Sequence, residues 1–379
     1  MTTTTDSRGP RRWRRRGATV VTLLAIGALA GCQSQTSEGS GGGTDSSVLS
    51  EAAATVKQAS AEVTSGVPES SPPALKRKSV VLIPCAQAGE GCAQPAAGAK
   101  AAAEALGWKA TVIDGKGTAD GQSAAILQAI SLKPDGIVTF AVDPSSVKGA
   151  VERARKAGIK IVASSSPPSD LVDFADNPTK AAWVKTGEIA ADLVISKSEG
   201  RAKVALLTDK EFAAVNQRTD AFAARIGKCG GCELVGTSNF NFSELGTGVP
   251  QLAQQIARRN PGLNAVYVPY DAAVPPVLQG LKAVGATDVM VISGDGTSQA
   301  IQCIREKCGQ TATVAFALDW IGWADIDAMN RLLQGKDPAP AAEQVPVKLI
   351  TAENVPAQPG TWNGDLDFRP KYRQLWGIG

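Results

Sequence analysis

Asp295 lies in Val291-Ile-Ser-Gly-Asp-Gly-Thr297, a carboxylate between two glycines. The apolar run Val289 to Ile292 before it is long enough for a strand buried on both faces. Gly294 and Gly296 allow a sharp turn, and a helix-like pattern follows. Ligands of open α/β sheets sit outside the carboxyl ends of the strands, where this spacing puts Asp295. A carboxylate there can accept hydrogen bonds from a ligand. The competing reading is that Asp295 only N-caps the next helix. Other chemistry is excluded by composition. The chain has no histidine, so Ser-His-Asp and Cys-His catalysis are ruled out and the commonest transition-metal ligand is missing. A glycoside hydrolase built on carboxylates such as Glu90 and Asp295 would need an acid pair at one site, and the sequence offers no clear one. No catalytic residue, metal or cofactor is expected.

Cysteine is the other reactive residue type. Six of the seven fall into close pairs: Cys85/Cys92, Cys229/Cys232 and Cys303/Cys308. In an oxidising compartment local disulfides are the economical expectation. Cys229-Gly-Gly-Cys232 has the spacing of a redox motif, but a reactive first cysteine normally sits at a helix N-terminus. Here the pair follows a helix pattern and precedes a strand pattern, which favours a structural staple.

The seventh, Cys32, closes Leu29-Ala30-Gly31-Cys32 after a 13-residue apolar run, Ala18 to Ala30. That run is too short to span a bilayer as a helix and suits a signal-peptide core. The segment resembles the lipobox of bacterial lipoproteins, which implies cleavage before Cys32 and lipid on its sulfur. Residues 1–31 hold six arginines and one acid, Asp6; the remainder carries 33 basic and 35 acidic residues. The folded part thus gives no charge argument for nucleic acid. Gln33 to Ser47 is Ser/Gly/Thr-rich and reads as a flexible tether. Val48 to Val63 has helix-forming composition, either a stalk helix or a helix appended to the domain.

From Lys78 the elements that must position the site alternate. Strand patterns run over Val80–Ile83, Lys109–Ile113, Gly136–Ala141 and Ile159–Ala163. They recur over Val204–Leu207, Glu233–Thr237 and Ala265–Val268, ahead of the strand that leads to Asp295. Helix patterns separate them, one of them N-capped by Asp143 before Pro144. The alternation predicts parallel sheets covered by helices. The halves are in register: Asp143 and Asp271 are 128 residues apart, Gly158 and Gly285 127, Val80 and Val204 124. The reading is α/β, two similar Rossmann-like lobes joined by a hinge, with a ligand cleft between them.

The motifs Lys133-Pro-Asp-Gly-Ile-Val138, Ala157-Gly-Ile-Lys-Ile-Val162, Ala175-Asp-Asn177, Ala265-Val-Tyr-Val-Pro-Tyr-Asp271 and Val291 to Thr297 carry a resemblance. In this order the chain, over roughly Lys78 to Ile350, resembles the ribose-binding-protein branch of the type I periplasmic binding proteins, receptors of bacterial ABC importers. The resemblance implies lobe crossings near Asn177-Pro178, Phe316-Ala317 and Gln344 to Pro346. The expected first lobe is 78–177 with 317–345, and the second 178–316 with 346–379. The implied ligand residues are Arg218, Phe242 and Asp295, with Tyr270-Asp271 at a place where the family often has Asn-Asp. Strand ends face the interlobe crevice, so Gln87 and Glu90 in the loop after the first strand, Asp143, and Ser165-Ser166 are expected to meet the ligand from the first lobe. The chain departs from the family pattern at Ser165-Ser166, where an Asp-Arg pair is usual, and at Phe316, where Gln is usual. Fewer charged donors and more aromatic surface (Phe242, Tyr270, Phe316 and Trp320) suit stacking on a sugar's C–H face or on a planar ligand. The Trp320 and Trp323 rings fit a core position equally well.

The expectation is an extracytoplasmic, monomeric solute receptor anchored by lipidated Cys32. It binds a monosaccharide or polyol and delivers it to a membrane permease; a nucleoside or small aromatic ligand is the alternative. A sugar-responsive repressor shares this fold, but would need a helix-turn-helix before Lys78, where this chain has the tether.

Overall fold

The computed structural model describes residues 46–175, 178–341 and 345–379. The targeting segment, Cys32, and the expected crossing points Asn177 and Gln344 lie outside the described residues. Among the described residues no helix is long and apolar enough to cross a membrane.

The first sheet contains β1 (Ser79–Pro84), β2 (Lys109–Val112), β3 (Gly136–Phe140), β4 (Lys160–Ser164) and β5 (Phe174–Ala175), all parallel in the order β2-β1-β3-β4-β5. Helices α2 (Glu90–Ala105), α3 (Ala119–Ser131) and α4 (Lys148–Lys156) connect the strands. The second sheet contains β6 (Lys203–Thr208), β7 (Glu233–Asn239), β8 (Ala265–Tyr267), β9 (Met290–Asp295), β10 (Gln310–Phe316) and β11 (Val347–Thr351). Its order is β11-β10-β9-β8-β6-β7, parallel except that β11 is antiparallel to β10. Around it lie α5 (Pro178–Lys197), α6 (Ala213–Ile226), α7 (Gly248–Arg259), α8 (Val274–Lys282) and α9 (Ser298–Glu306). Without β11 the two sheets share one strand order, so the internal repeat is a repeat of topology. Gly158 and Gly285 occupy matching left-handed positions after α4 and α8, at φ 77° and 74°, where a side chain would be strained.

Burial explains why these strands are legible. Val80, Val81, Leu82 and Ile83 are all at most 2 % exposed, because helices cover both faces. Hydrophobic cores cover both faces of each sheet, and the one that holds Val80 and Leu82 runs on to Ile301, Ile304, Ala315 and Ile350 of the second lobe.

β10 ends at Phe316, and α10 (Leu318–Leu333) starts at once and packs along α2. The Ala317 N–H donates to the Pro346 carbonyl at 3.2 Å, tying two crossings together. One expectation is corrected here. β11 joins the second sheet, but the chain after it returns to the first lobe. Trp362, Phe368, Tyr372 on α11 (Arg369–Leu375) and Trp376 directly after it are buried in the core that covers β1, α2 and α10 of the first lobe. Trp320 stacks on Phe368 at 4.6 Å and Trp323 on Trp376 at 5.4 Å. Both tryptophans are therefore core residues, and Trp320 leaves the ligand set.

In the stretch before Lys78 the structure decides between the two readings. α1 (Ser46–Ala59) is an appended helix: Ala52 is fully buried against the second-lobe core, and Glu51 pairs with Arg225 at 3.3 Å. Residues 71–75 then lie on α10 and α11, where the Leu75 N–H donates to Asn330 and the Ala74 N–H to the Trp376 carbonyl.

Candidate functional site

A cavity of about 80 Å³ lies where the carboxyl ends of the two sheets meet, lined from both lobes. At roughly 10–15 Å³ per water-sized position it has room for about six waters, the bulk of a small sugar. Five sequence-predicted residues line it: Ser165, Arg218, Phe242, Tyr270 and Asp295.

Asp295 ends β9 and is not a helix cap; the N-cap of α9 is Thr297, whose hydroxyl accepts from the Ala300 N–H at 3.4 Å. Its φ of 116° is a glycine-like conformation, and Ala141 (54°) and Ser165 (53°), at the ends of β3 and β4, are left-handed too. Three strained backbone positions thus line one cavity, as is common at binding sites. Arg218 on α6 is 3 % exposed and donates from Nη1 to Asp295 Oδ1 at 3.0 Å and to the Pro269 carbonyl at 2.6 Å. A buried guanidinium needs such partners. Its guanidinium carbon stands 4.6 Å from the Trp183 ring centroid and 5.3 Å from that of Phe316, so the packed pair of rings supports the cation. Gly294 makes room for it, since a Cβ there would stand 2.8 Å from Nη1. Burial, reinforced by Asp271 and Glu90, pushes the Asp295 carboxyl up to about 7, against the pull of Arg218.

Phe242 reaches across the lobes: a Cβ on Gly89 would meet its ring at 3.3 Å. Its ring, Phe212 and Tyr270 form an aromatic trio with centroids 6.3–6.4 Å apart. The Tyr270 hydroxyl is spent on Asp209 Oδ2 at 2.9 Å, so its ring is what the cavity meets. Burial pushes the Asp209 carboxyl up to about 6.

The other expected residues are placed elsewhere. Asp271 is 2 % exposed and fully engaged within the second lobe. It accepts from the Thr297 N–H (2.8 Å), the Thr313 hydroxyl (2.8 Å) and the Ser293 hydroxyl. It therefore fixes β9, β10 and the start of α9 around Asp295 rather than meeting a ligand. Asp143 is no helix N-cap: α4 starts at Lys148, and Asp143 Oδ1 takes the Ser145 N–H in a preceding turn. Ser166 is buried and donates to the Val142 carbonyl. Gln87 is exposed outside the lining, its N–H on Asp114. Phe316 is buried behind Trp183, ring centroids 4.2 Å apart.

Glu90 has a role that sequence reasoning missed. At the start of α2 in the first lobe, it accepts from the Ser298 N–H (3.0 Å) and hydroxyl (2.8 Å) at the start of α9 in the second. A carboxylate at a helix N-terminus is favourably placed, and here it latches the lobes. With both Glu90 oxygens committed, Glu90 and Asp295 do not form an open acid pair. Gly91 beside it allows the close approach; a Cβ there would sit 2.6 Å from Asp295 Oδ2.

Lining residues not anticipated are Trp183, Phe212, Val215, Leu318 and Ile321. Spacing could have found some of them: Val215 stands three before Arg218 on α6, and Leu318 three before Ile321 on α10. Trp183 carried no local signal. The three cysteine pairs are joined, with Cα–Cα distances of 5.6, 5.3 and 5.0 Å, and Cys92 touches the cavity.

The sequence matches the family model of the periplasmic binding protein domain over residues 80–337. It is 24 % identical over 259 residues to the ribose import binding protein of Salmonella typhimurium, covering 67 % of this chain and 83 % of that protein. It is 28 % identical over 208 residues to the D-apiose import binding protein of Actinobacillus succinogenes, covering 53 % and 64 %. Among solved structures it is similar to a 5-methylthioribose transporter solute binding protein from Thermotoga lettingae. The TM-score is 0.63 at 18 % identity, over 76 % of this chain and 88 % of that one. These relatives are transport binding proteins, not enzymes.

Proposed function

The chain belongs to the periplasmic binding protein domain family, and from that premise we propose that it is a lipid-anchored receptor of an ABC importer, closing on a small hydroxylated ligand of the sugar or polyol class. The family places it outside the cytoplasm. The observation that carries the ligand reading is the buried Arg218–Asp295 pair at 3.0 Å, held at a strand end and turned to a cavity lined by both lobes. A guanidinium donates, a carboxylate accepts, and adjacent ligand hydroxyls can do both. The ligands in the names of the relatives (ribose, apiose and methylthioribose) agree with such a pair. Closing the lobes removes the ligand from water and strengthens these contacts. The receptor acts as a monomer and hands its ligand to a membrane permease.

The anchor rests on Leu29-Ala30-Gly31-Cys32 after the short apolar run. Cys32→Ala should release the protein from membranes or block its processing; a variant that fractionates like wild type removes the anchor from the reading. The receptor itself is tested by thermal melts across sugars and polyols, since a ligand that binds only the native state raises its stability. A flat response across the whole set refutes it.

A further inference from the structure

The polar equipment of the cavity is too sparse for a fully hydroxylated sugar. Arg218 Nη1 is already shared between Pro269 and Asp295, and the Tyr270 hydroxyl is taken by Asp209. Of the side chains that line the cavity, Arg218 Nε and Trp183 Nε1 are buried donors without a hydrogen-bond partner. On the acceptor side the lining's side-chain oxygens are those of Asp295, Ser165 and the Tyr270 hydroxyl, whose proton goes to Asp209. The rest of the wall is apolar, with the aromatic trio, Val215, Leu318 and Ile321 among it.

An aldopentose ring brings four hydroxyl donors into a space of about 80 Å³. Asp295 and Ser165 can satisfy one edge of such a ring. Each further hydroxyl buried against aromatic or aliphatic carbon without a partner lowers affinity by roughly 5- to 150-fold. Replacing such a hydroxyl by hydrogen or methyl removes that penalty and adds apolar contact with Phe242 and its neighbours.

Resting on the receptor reading above, we propose that the ligand is a sugar-sized molecule with one short hydroxylated edge and one unhydroxylated flank, that is, a deoxy or O-alkyl sugar. The Arg218–Asp295 pair and the Trp183 N–H read the hydroxylated edge, and the Phe212–Phe242–Tyr270 trio covers the flank. The cavity volume limits the apolar flank to one or two carbons on a pentose or hexose frame.

The test is calorimetric titration of the processed full-length chain with matched pairs. These are the four D-aldopentoses against their 5-deoxy forms and methyl furanosides, and D-glucose, D-galactose and D-mannose against their 6-deoxy forms. The expected result is that, for the best-bound frame, the deoxy or methyl member binds at least tenfold more tightly than its parent. Phe242→Ser should collapse that ratio to under threefold, and Phe242→Leu, which keeps the wall apolar, should retain it. Parents binding as tightly as or more tightly than their derivatives would overturn the ligand class and leave the receptor standing. Failure of every compound to bind would overturn the receptor reading itself, and this inference with it.

Discussion

Substituting Asp295 separates a ligand contact from a merely structural carboxylate. The side chain accepts from Arg218 Nη1 through Oδ1, while Oδ2 faces the first lobe at Gly91. Asp295→Ala removes hydrogen bonds between ligand and a charged group, worth about 1.5–3 kcal/mol, or roughly a ten- to hundredfold loss of affinity. Asp295→Asn keeps an acceptor and tolerates the unusual φ of 116°, so it should lose less. The pH dependence is the sharper readout. With the carboxyl pushed up to about 7, a ligand that donates to the carboxylate needs the ionised form. Wild-type affinity should then fall by about tenfold from pH 8 to pH 6, and Asp295→Asn should show no such slope. The stability effect has the opposite sign. The folded carboxyl holds its proton more tightly than the unfolded one. Its contribution is fully present below the ordinary value of 3.8 and is lost as pH rises through about 7. Calorimetry and thermal melts across pH 5 to 8 measure both. An alanine variant that binds within twofold of wild type, or an asparagine variant that keeps the wild-type slope, would refute the reasoning.

Glu90→Gln should weaken affinity by up to about tenfold without touching the ligand, because two bonds across the lobes lose their charge; small-angle scattering should show a more open unliganded form, and an unchanged Kd and envelope would count against the latch. Trp320→Ala should cost about 3–5 kcal/mol of stability by chemical denaturation, with the folded fraction binding within twofold of wild type; a selective loss of affinity would return Trp320 to the site. Non-reducing peptide mapping should recover Cys85–Cys92, Cys229–Cys232 and Cys303–Cys308. The Cys85→Ser/Cys92→Ser variant should weaken binding more than the equivalent changes at the other two pairs, because Cys92 touches the cavity.

The sequence alone determined the α/β class, the paired lobes and the place of Asp295. Strands such as Val80–Ile83 are covered on both faces, so they had to read as unbroken apolar runs. Helix-to-strand turns need glycine at fixed places, so Gly158 and Gly285 marked the repeat. The cysteine pairs were legible because each partner is close in the chain. Arg218 and Phe242 came through family resemblance, at positions where local pattern was silent. What only the tertiary structure decided depends on partners far apart in sequence. Trp183 and Trp320 both sit on helices with apolar neighbours, yet one lines the cavity and the other is buried on Phe368. The difference comes from the C-terminal segment returning to the first lobe, which no local pattern encodes. Asp143 and Asp271 hold equivalent places in the repeat, but only Asp271 is enclosed by Ser293, Thr297 and Thr313. Glu90 looked like a ligand carboxylate because its charge is local, while the Ser298 that consumes it stands 208 residues away. A side chain's type fixes which bonds it can make, and the packing of distant segments fixes which of those bonds remain free for a ligand.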